Sequence, residues 1–212
     1  MGTSKNSIPD TKMMIVGVTG GIGSGKSRVM DFFAAKGAPC FSADQAGHQV
    51  LEHNPAVVHA VKAIFGDDLY NDQNQLNRKR LAAMVFSDTA KLQLLNGIVH
   101  PAVAIAFEAF VSTHALAPLV FKEAAILFES GAAKHCDKTV LITAPLSVRI
   151  ERVQRRDNSP EEAIIARIAL QWPDEKKITL ADFVLENQHW DITLVQLEKI
   201  YQSLLIQANA TD

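Results

Sequence analysis

Residues 20–27 read Gly20-Gly21-Ile22-Gly23-Ser24-Gly25-Lys26-Ser27 and satisfy the spacing G-x-x-x-x-G-K-[ST]. Residue types in this order do phosphate chemistry. Glycines let consecutive backbone N–H groups turn inward with no Cβ in the way, which makes a concave anion site. Lys26 is a point charge able to reach the outer phosphates of a nucleoside triphosphate, and Ser27 offers a hydroxyl to the Mg²⁺ that travels with them. The candidate phosphate-binding residues are therefore Gly21, Ile22, Gly23, Ser24, Gly25, Lys26, Ser27 and the next residue, Arg28.

Such a loop has meaning only between a strand and a helix whose positive end faces the same anion. The apolar run Met13–Thr19 precedes it and suits a buried parallel strand. Val29, Phe32 and Phe33 follow at helical spacing, and Gly37 stands where a helix stops.

Further strands are expected at 38–42, 119–123, 139–143 and 182–186. Between them, residues 45–117 show helical spacing, as in Val57, Val58, Val61 and Ile64, or Leu81, Met84 and Val85. Two more helices are predicted over 89–99 and 102–114, separated by Pro101, because the residue before proline disfavours helix. A strongly charged helical stretch covers 146–180, and a last helix covers 193–207. Five short apolar strands alternating with helices predict an α/β fold with a five-stranded parallel sheet covered on both faces. In such sheets ligands lie beyond the carboxyl ends of strands. That rule selects the loop at 20–27, Asp44, Glu123 and the start of the charged stretch.

Bulk properties narrow the function. The 212 residues suffice for a real core, and 48% hydrophobic content argues against disorder. A net charge of −2 gives no global field to recruit nucleic acid or an anionic membrane. No apolar stretch reads as long and uncharged enough to span a bilayer. Residues 1–12 lack the apolar segment of a signal peptide and are expected to be a disordered extension. Cys40 and Cys136 sit beside apolar runs and read as free thiols, which points to the cytoplasm. Nothing in the residues bears on oligomeric state.

The loop alone leaves the nucleotide chemistry open. No guanine-reading Asn-Lys-x-Asp follows a late strand, and the third strand ends in Glu123 rather than Asp. A small-molecule kinase needs an acceptor pocket, a carboxylate near the incoming hydroxyl, and arginines over the transferring group. The insertion, Asp44 and the cluster Arg149, Arg152, Arg155 and Arg156 offer all three. That cluster reads either as a solvated face paired with Glu151, Glu161 and Glu162, or as a lid whose Arg152 and Arg156 reach ATP.

In order along the chain stand Val18–Ser27, Ser42-Ala43-Asp44, Leu76-Asn77-Arg78, His100-Pro101, Ala125-Ile126-Leu127-Phe128-Glu129, Gln154-Arg155-Arg156-Asp157, Ala181-Asp182 and Asn187. This set resembles the dephospho-coenzyme A kinases, from about Met14 to Asn187. The resemblance implies transfer of the ATP γ-phosphoryl group to the ribose 3′-hydroxyl of dephospho-coenzyme A. It implies a nucleotide core over 13–44, 118–145 and 181–207, an acceptor-binding helical domain over 45–117, and a lid over 146–180. It makes Asp44 the catalytic carboxylate beside Lys26 of the loop and gives Asp44 and His100 to the acceptor; Glu123, at the end of the third strand, is a further candidate acceptor residue. On the residues alone Asp44 serves equally as a helix N-cap, Glu123 as a strand-end carboxylate or an aid to Mg²⁺ and Lys26, and His100 as a turn residue. Two positions depart from the family pattern: Ser42 replaces an Asp, and Arg28 replaces the usual Ser or Thr. The competing readings are another phosphate-loop nucleotide or nucleoside kinase, and a nucleotide-switched binding module. The latter would lack Asp44 or the lid, and neither is missing.

Overall fold

Short apolar runs and amphipathic helices alternate along the chain. The computed structural model describes residues 13–86 and 88–210 of it; the expected extension at 1–12 lies outside the described residues. In chain order the elements are β1 (Met14–Gly20), α1 (Lys26–Ala35), β2 (Cys40–Ser42), α2 (Ala43–His53), α3 (Pro55–Phe65), α4 (Arg78–Phe86) and α5 (Thr89–Thr113). Then come β3 (Leu119–Glu123), β4 (Lys138–Thr143), α6 (Leu146–Asp157), α7 (Glu161–Ala169), α8 (Asp174–Ile178), β5 (Phe183–Glu186) and α9 (Trp190–Asn209). They form two compact units, one of residues up to Phe41 together with His114 onward, the other of Ser42–Thr113.

In the first unit the sheet order is β2-β3-β1-β4-β5, all parallel. β1 lies at the centre, with Val16 opposite Phe121 on β3 and Val18 opposite Val140 on β4. Strand residues two apart share a face, so Val16, Val18, Phe121, Val140, Ile142 and Leu185 line one buried layer. Helix α1 covers it with Val29 and Phe33, the latter ring stacked on Phe121 at 3.8 Å between centroids. Helix α9 adds Leu197, Tyr201 and Leu204. α1 ends as expected at Gly37, whose φ is +81°. There the Gly37 and Ala38 N–H groups donate to Ala34 and Phe33 carbonyls, a Schellman closure. That closure uses up Ala38, and Pro39 has no N–H, so β2 starts later than predicted, at Cys40.

The charged helical stretch consists of three helices. Asn158 adopts φ +49° as the cap of α6, and Pro160 and Pro173 immediately precede α7 and α8. Ile150 and Val153 of α6 and Ile164 of α7 form a small separate core with Ile22 against it.

In the second unit α5 packs on α2, α3 and α4. Asn54 caps α3, its Oδ1 accepting the Ala56 and Val57 N–H groups, with Pro55 at the first helical position. Gly47 of α2 faces Val99 and Val103 of α5, where a Cβ would make only ordinary contact, at 3.7 and 4.0 Å. The predicted break at Pro101 does not occur: α5 runs unbroken through it. Leu95, Val99, Val103 and Phe107 repeat every four residues in unbroken phase, and three of them are buried. That stripe outweighs the N–H lost at Pro101. Joining the two halves also corrects the expectation about membrane-length segments: by length and composition alone, Thr89–Thr113 is long and apolar enough to span a bilayer.

Candidate active site

The loop between β1 and α1 is built from peptides whose directions are individually fixed. Gly23 and Gly25 have φ of +79° and +93°, a region costly for residues with a Cβ. The space is closed as well. A Cβ on Gly23 would lie 2.4 Å from the Arg149 carbonyl oxygen, and one on Gly25 would lie 2.2 Å from Asn187 Nδ2.

The carbonyls are held by side chains. Arg149 Nε donates to Ile22 O at 2.9 Å, Asn187 Nδ2 to Ser24 O at 2.8 Å, and Lys26 Nζ to Gly20 O at 2.9 Å. In a trans peptide the C=O and the following N–H point oppositely. Holding the Ile22 and Ser24 carbonyls therefore turns the Gly23 and Gly25 N–H groups the other way. Among the described residues neither of these N–H groups donates to protein. The Ile22 N–H is different, because it donates to Gln171 Oε1 at 2.8 Å. Of the predicted contacts, Ile22 thus has its own N–H committed within the protein.

α1 completes the site. No side chain caps its N-terminus and its first turn carries no acid, so its positive end is not neutralised from within the helix. Lys26 is largely enclosed, its Nζ 3.9 Å from Oε1 of the buried Glu123 that ends β3. Ser27 is exposed in the first turn of α1. Arg28 places its guanidinium 3.9 Å from the centre of the Trp190 ring, a cation–π contact.

The arginine cluster divides. Arg149 is buried, and its Nη1 pairs with Asp174 at 3.2 Å. Arg152 lies along the loop, with long bonds of 3.4–3.5 Å to the Gly23, Ser24 and Gln188 carbonyls. Burial, then the charge of Arg28, lowers its pKa. Arg155 pairs with Glu151 within its own helix. Arg156 is not brought to the loop: it forms a two-pronged pair with Asp157, at 2.6 and 3.0 Å, which also accepts from Arg167. The two arginines hold the Asp157 carboxyl well below the usual range, Arg156 contributing most.

In the helical unit, Asp44 is exposed in the first turn of α2. The cap is Ser42, whose hydroxyl accepts the Gln45 N–H at 3.3 Å, so Asp44 does not serve as the N-cap. His100 is an exposed residue within α5 rather than in a turn, and the protein around its ring lowers its pKa by desolvation. Arg78 binds Glu52 at 2.8 Å and His48 Nδ1 at 2.7 Å.

Other motif residues act as braces. Asp182 accepts both the N–H and the hydroxyl of Thr139, at 2.8 Å each. Glu129 pairs with the fully buried Lys177 at 3.2 Å and accepts the Trp172 N–H at 3.0 Å. Sequence reasoning missed the bracing by Arg149, Asn187 and Gln171, since single polar residues leave no periodic signal. Burial pushes both free thiols, Cys40 and Cys136, up to about 11.

A parallel sheet with this strand order, and this loop at the end of its central strand, defines a phosphate-loop kinase. The dephospho-CoA kinase family model matches residues 14–191. A dephospho-CoA kinase of Chlorobium chlorochromatii (strain CaD3) is 39% identical, over 92% of this chain and 95% of the relative. The crystal structure of TT1252 from Thermus thermophilus aligns with a TM-score of 0.81 and 34% identity, over 92% of this chain and 98% of that one. A dephospho-CoA kinase from Campylobacter jejuni aligns with a TM-score of 0.66 and 25% identity, over 91% and 98%. The chain belongs to the dephospho-CoA kinase family.

Proposed function

We propose that this protein transfers the γ-phosphoryl group of ATP to the ribose 3′-hydroxyl of dephospho-coenzyme A, giving coenzyme A and ADP in the cytoplasm. The observation that carries the nucleotide half is the set of pinned loop carbonyls, which turns the Gly23 and Gly25 N–H groups away from the protein's own acceptors. These groups, the N-terminus of α1 and Lys26 cradle the phosphates. Lys26 exchanges its bond to Gly20 O for a phosphate oxygen, where its charge opposes the negative charge growing on the transferring group. Arg152 trades its long carbonyl bonds for a shorter, charge-assisted one to phosphate. Arg156 joins it only by giving up Asp157.

Asp44 accepts the hydrogen bond of the attacking hydroxyl, orients it for in-line attack, and takes its proton as the new P–O bond forms and the bond to the ADP oxygen breaks. Support comes from its place in the chain, two residues past β2 in a parallel sheet, and from its freedom from capping. His100 and Glu123 are the further acceptor contacts. Mg²⁺ fits the donor set. Ser27 supplies a hard oxygen at the loop, and among the described residues no three His, Cys, Asp or Glu cluster into a cage, as suits an ion held mostly by nucleotide phosphates and water. When bound it supplies charge neutralisation on the phosphates.

A coupled ADP-release assay over a panel of acceptors tests this reading. Turnover with dephospho-coenzyme A, and none with nucleosides or nucleoside monophosphates, is expected. The reverse pattern would replace it with another kinase activity on the same fold.

A further inference from the structure

The two peptides that flank Ile22 are each held by a side chain, one by Gln171 directly and the other by Arg149, whose partner Asp174 lies three residues beyond Gln171. The Ile22 N–H donates to Gln171 Oε1 at 2.8 Å, and the Ile22 carbonyl accepts from Arg149. Gln171 is itself fixed. Its Nε2 donates to the Ala125 carbonyl, just past β3, at 3.2 Å. The next residue, Trp172, gives its N–H to Glu129, the partner of the buried Lys177. The turn between α7 and α8 is thus bonded to β3's outgoing chain and to the phosphate loop at once.

We propose that Gln171 is a positioning residue for ATP: its side-chain amide sets the Gly21–Ile22 peptide and so fixes the entry to the phosphate cradle. Pulling the Ile22 N–H toward Gln171 turns the Gly21 carbonyl the opposite way, where it accepts the Ser24 N–H at 3.1 Å and closes the loop's inner turn. Without Gln171 the Ile22 N–H loses its acceptor, and this peptide is free to flip and open that turn. An α7–α8 turn displaced from its seat on Ala125 would carry the same loss to the loop.

The proposal rests on the kinase reading above, and its test separates the two. In Gln171→Met, which keeps the length but removes both bonds, the KM for ATP should rise about tenfold, the equivalent of one hydrogen bond. The KM for dephospho-coenzyme A should stay within about twofold. The Ile22 amide should exchange with deuterium faster, while β1 amides keep their protection. Gln171→Glu retains the acceptor for Ile22 but cannot donate to Ala125, so it should keep the Ile22 amide slow and rescue part of the ATP effect. This second variant also decides the matter if Gln171→Met folds poorly. An unchanged ATP KM in Gln171→Met, equal losses for both substrates, or a fast Ile22 amide in Gln171→Glu would each overturn the proposal. If the unaltered protein ignores dephospho-coenzyme A, the kinase reading fails instead. The role of Gln171 is then decided by calorimetric binding of ADP and by the same exchange measurement.

Discussion

Gly23 and Gly37 pose one question in two settings. Both have φ near +80°, at +79° and +81°. Alanine at either position takes on the left-handed backbone cost of about 1–2 kcal/mol. At Gly37 a Cβ meets nothing within 4 Å, so Gly37→Ala should show that cost alone. At Gly23 the Cβ lands 2.4 Å from the Arg149 carbonyl oxygen and 2.9 Å from its Cα, both backbone atoms, when 3.0 Å is the practical floor. Loop and α6 must therefore part by at least about 0.6 Å. The Ile22–Arg149 bond, now 2.9 Å, would stretch to the edge of hydrogen bonding. Overpacking adds about 1–3 kcal/mol, and the weakened charged hydrogen bond about 1.5–3 kcal/mol more. If the loop moves instead of α6, the loss falls on the phosphate cradle. Thermal melts and calorimetric titration with ATP on both variants separate these contributions. Gly37→Ala should keep its ATP affinity with a melting point lowered by roughly 2–8 °C, whereas Gly23→Ala should lose about 100-fold or more in affinity, the equivalent of about 2.8 kcal/mol. Equal ATP affinity in the two variants would refute the claim that the seat on α6 shapes the loop.

Asp44→Ala should lower kcat about 100-fold or more with ATP affinity nearly intact, while Lys26→Ala should damage both; steady-state kinetics with nucleotide titrations checks this, and near-normal turnover in Asp44→Ala removes that residue from the mechanism. Asp157 has a folded pKa depressed first by Arg156 and then by Arg167, so its contribution to stability is present above the unfolded carboxyl pKa of about 3.9 and is lost as pH falls below it. Asp157→Asn should therefore flatten the acid limb of a stability–pH profile below about pH 4 and leave neutral-pH stability slightly reduced; an unchanged acid limb would count against the pair.

Much of this arrangement is legible in the sequence because it is periodic or local. The buried run at β1 and the helical spacing of Val29 and Phe33 place the loop, and Gly37 marks the stop. At Pro101 the local preference of one residue is overridden by a stripe, Leu95 to Phe107, that keeps phase straight through it. The capping question at Asp44 turned on a neighbour: Ser42 has the right geometry and Asp44, two residues later, does not. Arg156 likewise depends on a neighbour, since Asp157 beside it takes its guanidinium in this structure. Arg149, Gln171 and Asn187 were out of reach in another way. Each meets the loop across more than a hundred residues of chain, through main-chain groups that every residue type shares.

Those long-range braces also separate shape from charge. Gln171 and Asn187 are neutral, and the charge of Arg149 is matched by Asp174. The residues that hold the peptides therefore add little net field. The positive potential comes from Arg152, Arg28 and the end of α1, with the charge of Lys26 partly offset by Glu123, in a chain whose overall charge is −2. Variants of the two sets should then differ in their response to salt. Asn187→Ala removes the 2.8 Å bond to Ser24 O but no charge, so its ATP affinity should fall yet keep the unaltered protein's dependence on ionic strength. Arg152→Met removes a partly exposed cation, so it should lose affinity mainly at low salt, with a shallower salt dependence; at 0.1 M the screening length is already about 10 Å. Titrating ATP into both variants across a range of salt concentrations decides it. A shallower slope in Asn187→Ala would mean that the braces contribute field as well as form, and the division drawn from the Arg149–Asp174 pair would be wrong.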